Sequence, residues 1–95
     1  MDFFMMKRMS VLFSGTVQGV GFRFTADRIA RHFDVTGYVR NLPNGKVELV
    51  AEGEESVLKD FLKAVSESVM SSYIRDIQAE WTEPQGNFKH FGIGH

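Results

Sequence analysis

No cysteine occurs in the 95 residues. That absence removes disulfide staples, thiolate zinc sites, thiol nucleophiles and iron–sulfur clusters together, so the fold must rest on packing alone and a reducing compartment is its natural setting. Proline is almost as scarce: Pro43 and Pro84 are the only two, and both sit where turns are expected. No run approaches the roughly 18 apolar residues that a bilayer-spanning helix needs. The N-terminal stretch Met1-Asp2-Phe3-Phe4-Met5-Met6 carries its cations, Lys7 and Arg8, behind the apolar run instead of in front, so it does not read as a signal peptide. The expected location is cytoplasmic, away from any membrane. Nor is there an excess of one charge. Eleven Lys and Arg against twelve Asp and Glu leave a net charge of -1, which lacks the basic excess that drives general binding to phosphate backbones. Nucleic acid is therefore not an expected partner.

What the chain does have is aromatic surface. Aromatics make up 13% of it and nine of them are Phe, rings that bury much apolar area per residue in a small domain. The length suits one domain spanning residues 1–95, with residues 1–6 read as a frayed extension. Met9, Val11, Phe13, Gly15 and Val17 alternate with Ser10, Leu12, Ser14 and Thr16, a period-2 pattern that predicts a strand packed on one face. Phe22, Ala26, Ile29, Ala30 and Phe33 then recur at helical spacing, and Asp34, which tolerates a left-handed conformation, closes that helix.

Gly37 to Asn41 reads as a second strand, and Pro43-Asn44-Gly45 as a hairpin turn returning through Val47, Leu49 and Ala51, with Lys46, Glu48 and Glu52 facing out. Val57, Leu58, Phe61, Leu62 and Val65 mark a second amphipathic helix with acidic residues in its first turn. Ile74 to Trp81 is a fourth strand, in which Ile74 and Ile77 break strict alternation and imply a bulge or an early irregularity. Phe91 and Ile93 leave room for a short fifth. The order β-α-β-β-α-β is the split βαβ pattern: an α+β fold with an antiparallel sheet and both helices on one face. Met5, Met6 and Met9 are expected to pack or fray at the sheet edge.

The junction Gly15-Thr16-Val17-Gln18-Gly19-Val20-Gly21-Phe22-Arg23 is the most informative stretch. Glycine lets backbone amides crowd around a ligand, and a helix start leaves its N–H groups unpaired, a geometry that cradles anions. The stretch lacks the Gly-Lys-Ser/Thr ending of a Walker A loop and the spacing of a dinucleotide fingerprint, so ATP and NAD sites are unsupported. On spacing alone, a structural turn and an anion site both stand. Arg23 adds a local conflict, because a cation at a helix start is disfavoured by roughly 0.3–1 kcal/mol. A phosphate would relieve it, since Arg binds two oxygens in a fork. The bland alternative is an arginine that reaches solvent or pairs with a surface carboxylate.

Those nine residues, followed by Gly37-Tyr38-Val39-Arg40-Asn41-Leu42-Pro43-Asn44-Gly45-Lys46-Val47-Glu48, resemble the two signature blocks of the acylphosphatase family, and the similarity runs from about Lys7 to the end of the chain. The resemblance implies a ferredoxin-like α/β sandwich, matching the topology read above. It also implies that Arg23 binds a phosphoryl group, that the backbone amides of Gln18, Gly19, Val20, Gly21, Phe22 and Arg23 surround its oxygens, and that Asn41 holds the attacking water. The expected reaction is metal-independent hydrolysis of a small acyl phosphate to carboxylate and inorganic phosphate, by a monomer without a cofactor. An acyl phosphate leaves as a weakly basic carboxylate and needs no general acid.

The remaining candidates are weaker. His32, His90 and His95 share no metal-ligand spacing and read as solvated. Asp27 and Arg31 fit a surface ion pair at i and i+4. Phe22, Phe33, Phe61 and Leu62 read as core. Two other functions compete: a non-catalytic anion-binding or protein-interaction module on the same fold, and an RNA-binding module. The last would need exposed aromatics on the central strands, where Leu12 and Ser14 stand instead.

Overall fold

The computed structural model describes residues 5–94. Its elements are β1 (Met6–Gly15), α1 (Phe22–Ala30), β2 (Thr36–Asn41), β3 (Val47–Glu54), α2 (Glu55–Ser66), a 3-10 turn at Ser71–Tyr73, β4 (Ile74–Thr82) and β5 (Phe91–Ile93). The sheet order is β4-β1-β3-β2-β5. Four strands are antiparallel to their neighbours, and the fifth joins β2 in parallel. The sheet is thus mixed, because the chain leaving β4 at one edge crosses to the opposite edge before β5 begins. Both helices pack on one face, over a core in which Met9, Val11, Phe13, Val39, Val47, Leu49, Ala51, Leu58, Phe61 and Val65 are fully or almost fully buried.

The alternation in β1 works as read: Val11 and Phe13 have no exposed surface, while Ser10 and Leu12 face the open side. Met9 belongs to the same buried row, not to an edge, because β1 lies between β3 and β4. Met5 and Met6 are half exposed, yet Met6 already pairs with Glu54 across the sheet. The strand therefore claims the last residue of the expected extension. The first four residues of that extension and His95 lie outside the described residues. The irregularity expected near Ile74 is present: Ser14 pairs with Asp76 but Gly15 with Ile74, leaving Arg75 as the extra residue. That shift turns both Ile74 and Ile77 toward the core despite their odd spacing.

Helix α1 is shorter than its apolar spacing predicts. It ends at Ala30, and Phe33 sits in the following turn, where its ring packs 5.7 Å from Phe61. Asp34 does not adopt a left-handed conformation: among the described residues only glycines have positive φ. The turn is instead closed by amides of His32 and Phe33 donating to Ile29 and Ala30 carbonyls.

The register places the two segments of interest at one end of the sheet. Val47 of β3 pairs with Phe13 on one side and with Asn41 on the other. Opposed residues share a face, and two strand spacings separate their rows by about 10 Å. Asn41, the last residue of β2, thus lies on the helix face near the loop that leaves β1 for α1. Leu42 and Lys46 close the hairpin beyond it, the Leu42 amide donating to the Lys46 carbonyl at 2.9 Å.

At the opposite end, Glu52 departs from the expectation that it faces solvent. It is 5% exposed, covered by the segment between β4 and β5. Its carboxylate accepts from Arg8 Nε at 2.8 Å and from the amides of Gln85 and Gly86 at 2.8 and 3.0 Å. Arg8 also donates to Asn87 and lies 4.9 Å from the centre of the Phe88 ring. Burial alone would raise the Glu52 carboxyl, but the two amides and the guanidinium outweigh it and hold it below its ordinary range. A depressed carboxyl stabilises the fold above its unfolded-state pKa, and that contribution fades as pH falls through the lower folded-state value. Glu52→Gln should destabilise the protein by about 1.5–3 kcal/mol at pH 7. It should also flatten the acid limb of stability, measured as the urea midpoint between neutral and acid pH.

Candidate active site

The segment between β1 and α1 is pinned at both ends by core residues. Val17 is 1% exposed and Phe22 is 2% exposed, and the Phe22 ring packs 4.8 Å from Phe13. Between these anchors the backbone turns through two left-handed glycines, Gly19 at φ 77° and Gly21 at φ 84°. Gly21 is also the N-cap of α1 and supplies no side-chain cap. Added Cβ atoms at Gly19 or Gly21 would meet no protein atom within 4 Å, so glycine is required here by backbone conformation and not by crowding. The first helical bond runs from the Thr25 amide to the Gly21 carbonyl at 3.0 Å. Among the described residues, the amides from Gln18 through Phe24 have no partner within the protein. A helix N-terminus continued into such a loop forms a concave row of N–H groups with affinity for anions.

Arg23 lies in the first turn of α1, half-buried, and makes no ion pair among the described residues. No acidic residue occupies that turn to balance it. The Asn41 side chain is half-buried and likewise has no hydrogen-bond partner among the described residues. Arg23 and Asn41, from separate elements, line one cavity of about 90 Å³ together with Val17, Gly19, Gly21, Phe22 and Phe24. A cavity of that volume takes a few waters or one small anion.

Of the loop residues anticipated from sequence, Gly19, Gly21, Phe22 and Arg23 line the cavity directly. Val20 packs against the core, and Gln18 has a different task. The Gln18 side-chain amide donates to the carbonyls of Leu42 at 2.8 Å and Lys46 at 2.9 Å. It thereby ties the loop to the hairpin that begins immediately after Asn41. From sequence, Gln18 is expected to supply a backbone amide and to shape the loop, and its side-chain link to the hairpin is what the structure adds. A side chain with two donors beside an Asn-Gly hairpin was the one available signal for this link. The structure leaves His32 and His90 exposed and outside the cavity lining, and the expected Asp27–Arg31 ion pair is present at 3.4 Å.

The acylphosphatase family model matches residues 9–93. The chain belongs to the acylphosphatase family. It is similar to an acylphosphatase of Methanospirillum hungatei, at 43% identity over 82 residues that cover 85% of this chain and 90% of that one. With an acylphosphatase of Archaeoglobus fulgidus it shares 38% identity over 87 residues, 92% of this chain and 97% of the other. The crystal structure of acylphosphatase from Bacillus subtilis superposes with a TM-score of 0.86 at 31% identity, covering 94% of this chain and 99% of that chain. The ferredoxin-like sandwich expected of an acylphosphatase is therefore the fold observed.

Gln18→Ala removes both donors and frees the loop from the hairpin. The variant should lose about 1–3 kcal/mol of stability, the sum of two hydrogen bonds, and should bind inorganic phosphate more weakly than the parent. Chemical denaturation and phosphate titration by calorimetry check the two effects separately.

Proposed function

We propose that this acylphosphatase-family enzyme hydrolyses the carboxyl–phosphate bond of small acyl phosphates without a metal ion, with the cavity between α1 and β2 as its site. The observation that carries the reading is the meeting of an arginine, loop amides and an asparagine amide, all unpaired among the described residues, around one small cavity. The phosphoryl group enters this space, its equatorial oxygens held by the Arg23 fork and the amides of Gln18 through Arg23. These donors are preorganised and gain most where charge spreads over those oxygens in the transition state.

Asn41 orients a water opposite the leaving oxygen. The water oxygen bonds to phosphorus as the bond between phosphorus and the acyl oxygen breaks, the bonding pair leaving with the carboxylate. The phosphoryl group accepts the water's proton, so that carboxylate and inorganic phosphate are the products. Because the leaving group is a weak base, positioning and charge stabilisation suffice. The protein acts as a monomer and needs no nucleic-acid or membrane partner. A cytoplasmic setting is the one that a cysteine-free chain suits, and among the described residues no helix is long and apolar enough to cross a membrane.

Purified protein should turn over benzoyl phosphate in the presence of EDTA. Arg23→Gln and Asn41→Ala should each lower kcat by about 10²–10³ while keeping the circular dichroism spectrum of the parent. Phosphate binding that needs Arg23, with no turnover and no effect of Asn41→Ala, would instead assign the cavity to a non-catalytic anion-binding module.

A further inference from the structure

The cavity accommodates a phosphoryl group, and the acyl portion of any substrate has to lie outside it. What meets that portion is decided at the rim. Among the described residues, six large hydrophobic side chains are markedly exposed: Met5, Met6, Phe24, Val69, Tyr73 and Trp81. Only Phe24 of these lines the cavity. It is 68% exposed and, among the described residues, forms no aromatic pair, in contrast to Phe22, Phe33, Phe61 and Phe91. At about 100° per residue, Phe24 points roughly 200° away from Phe22 around α1, so the buried stripe of Phe22, Ala26 and Ala30 does not use it. Among the described residues, nothing in the packing of the helix calls for an aromatic ring at this position. A solvated helix surface more commonly carries a polar side chain there.

The charge inventory of the rim points the same way. Among the described residues, Arg23 is the only charged side chain lining the cavity, and the phosphoryl group engages it. An acyl portion bearing its own carboxylate or phosphate would find no second cation there.

We infer that Phe24 is a specificity residue whose ring stacks on the acyl portion, and that the preferred substrates are acyl phosphates with a flat, apolar acyl group such as an aroyl phosphate. This rests on the acyl-phosphate reading of the site and extends it to the half of the substrate that Arg23, Asn41 and the loop amides do not touch. The contact lies away from the reacting phosphorus and is the same in ground state and transition state. It therefore lowers KM and leaves kcat unchanged.

The test compares benzoyl phosphate with acetyl phosphate on the parent protein, Phe24→Ala and Phe24→Trp. Phe24 is exposed and alanine favours helix, so the alanine variant folds. Its KM for benzoyl phosphate should rise about tenfold, the scale of one aromatic contact, with kcat unchanged. KM for acetyl phosphate and inhibition by inorganic phosphate should stay as in the parent, and Phe24→Trp should restore the low KM for benzoyl phosphate. Equal changes for both substrates, or none for either, would overturn the role of Phe24 while leaving the hydrolase reading intact. No turnover of either substrate by the parent would overturn the hydrolase reading itself and this inference with it.

Discussion

Two hydrogen bonds from one side chain, Gln18 to the carbonyls of Leu42 and Lys46, connect the two halves of the candidate site. A loop whose amides must be free for a ligand cannot be stiffened by its own backbone hydrogen bonds. Ordering its backbone costs about 1–2 kcal/mol per residue, and two hydrogen bonds at about 0.5–1.5 kcal/mol each do not offset that over the span from Val17 to Phe22. Core burial supplies the larger share, since Val17 and Phe22 at the two ends each contribute about 1.5–3 kcal/mol. The division of labour follows from these magnitudes. The buried anchors make the loop rigid, and Gln18 decides where it sits relative to Asn41.

The same economy governs the electrostatics. With a net charge of -1 there is no general field to draw a phosphate in, so attraction must be local. Carboxylates accompany Arg8, Arg31 and Arg40 in ion pairs, whereas Arg23 has none among the described residues and stands at the positive end of a helix. The structure tolerates that local conflict, worth roughly 0.3–1 kcal/mol, where an acidic residue in the first turn would have removed it. An anion would bring the missing charge, so the local conflict at Arg23 and the proposed affinity for phosphate have one cause.

Much of this was legible in the residue pattern because it is local. Alternation in β1 and β3, the Asn-Gly hairpin and the spacing of α2 each report a single element's exposed and buried faces, and the glycines between β1 and α1 report a backbone that ordinary residues avoid. What was not legible depends on segments distant in sequence. Glu52 has the same place in the alternation as Glu48, and only the crossing of Gln85 and Gly86 buries it. The direction of β5 follows from that crossing too, and periodicity carries no information about strand direction. Phe33 satisfies the helical spacing while lying in a turn, because its ring packs on Phe61 from beyond the end of α1. For the site, the signature residues marked Arg23 and Asn41, but the Gln18 side-chain link required knowing that the hairpin carbonyls lie within its reach.

The inventory of the cavity also bears on which phosphate compounds such a site can process. Among the described residues its lining holds no carboxylic acid, histidine or tyrosine, and an arginine is too basic to give up a proton at neutral pH. An alkoxide leaving from a phosphate ester is a strong base and needs proton donation as the bond breaks, which a positioned general acid typically accelerates by about 10²–10⁴. A carboxylate leaving from an acyl phosphate needs none. Both substrates present the same phosphoryl oxygens to Arg23 and the loop amides, so the cavity has little means of telling them apart by binding. Under the proposed mechanism, discrimination against esters then lies in the chemical step, because a ring of amides, one arginine and one asparagine supplies no acid.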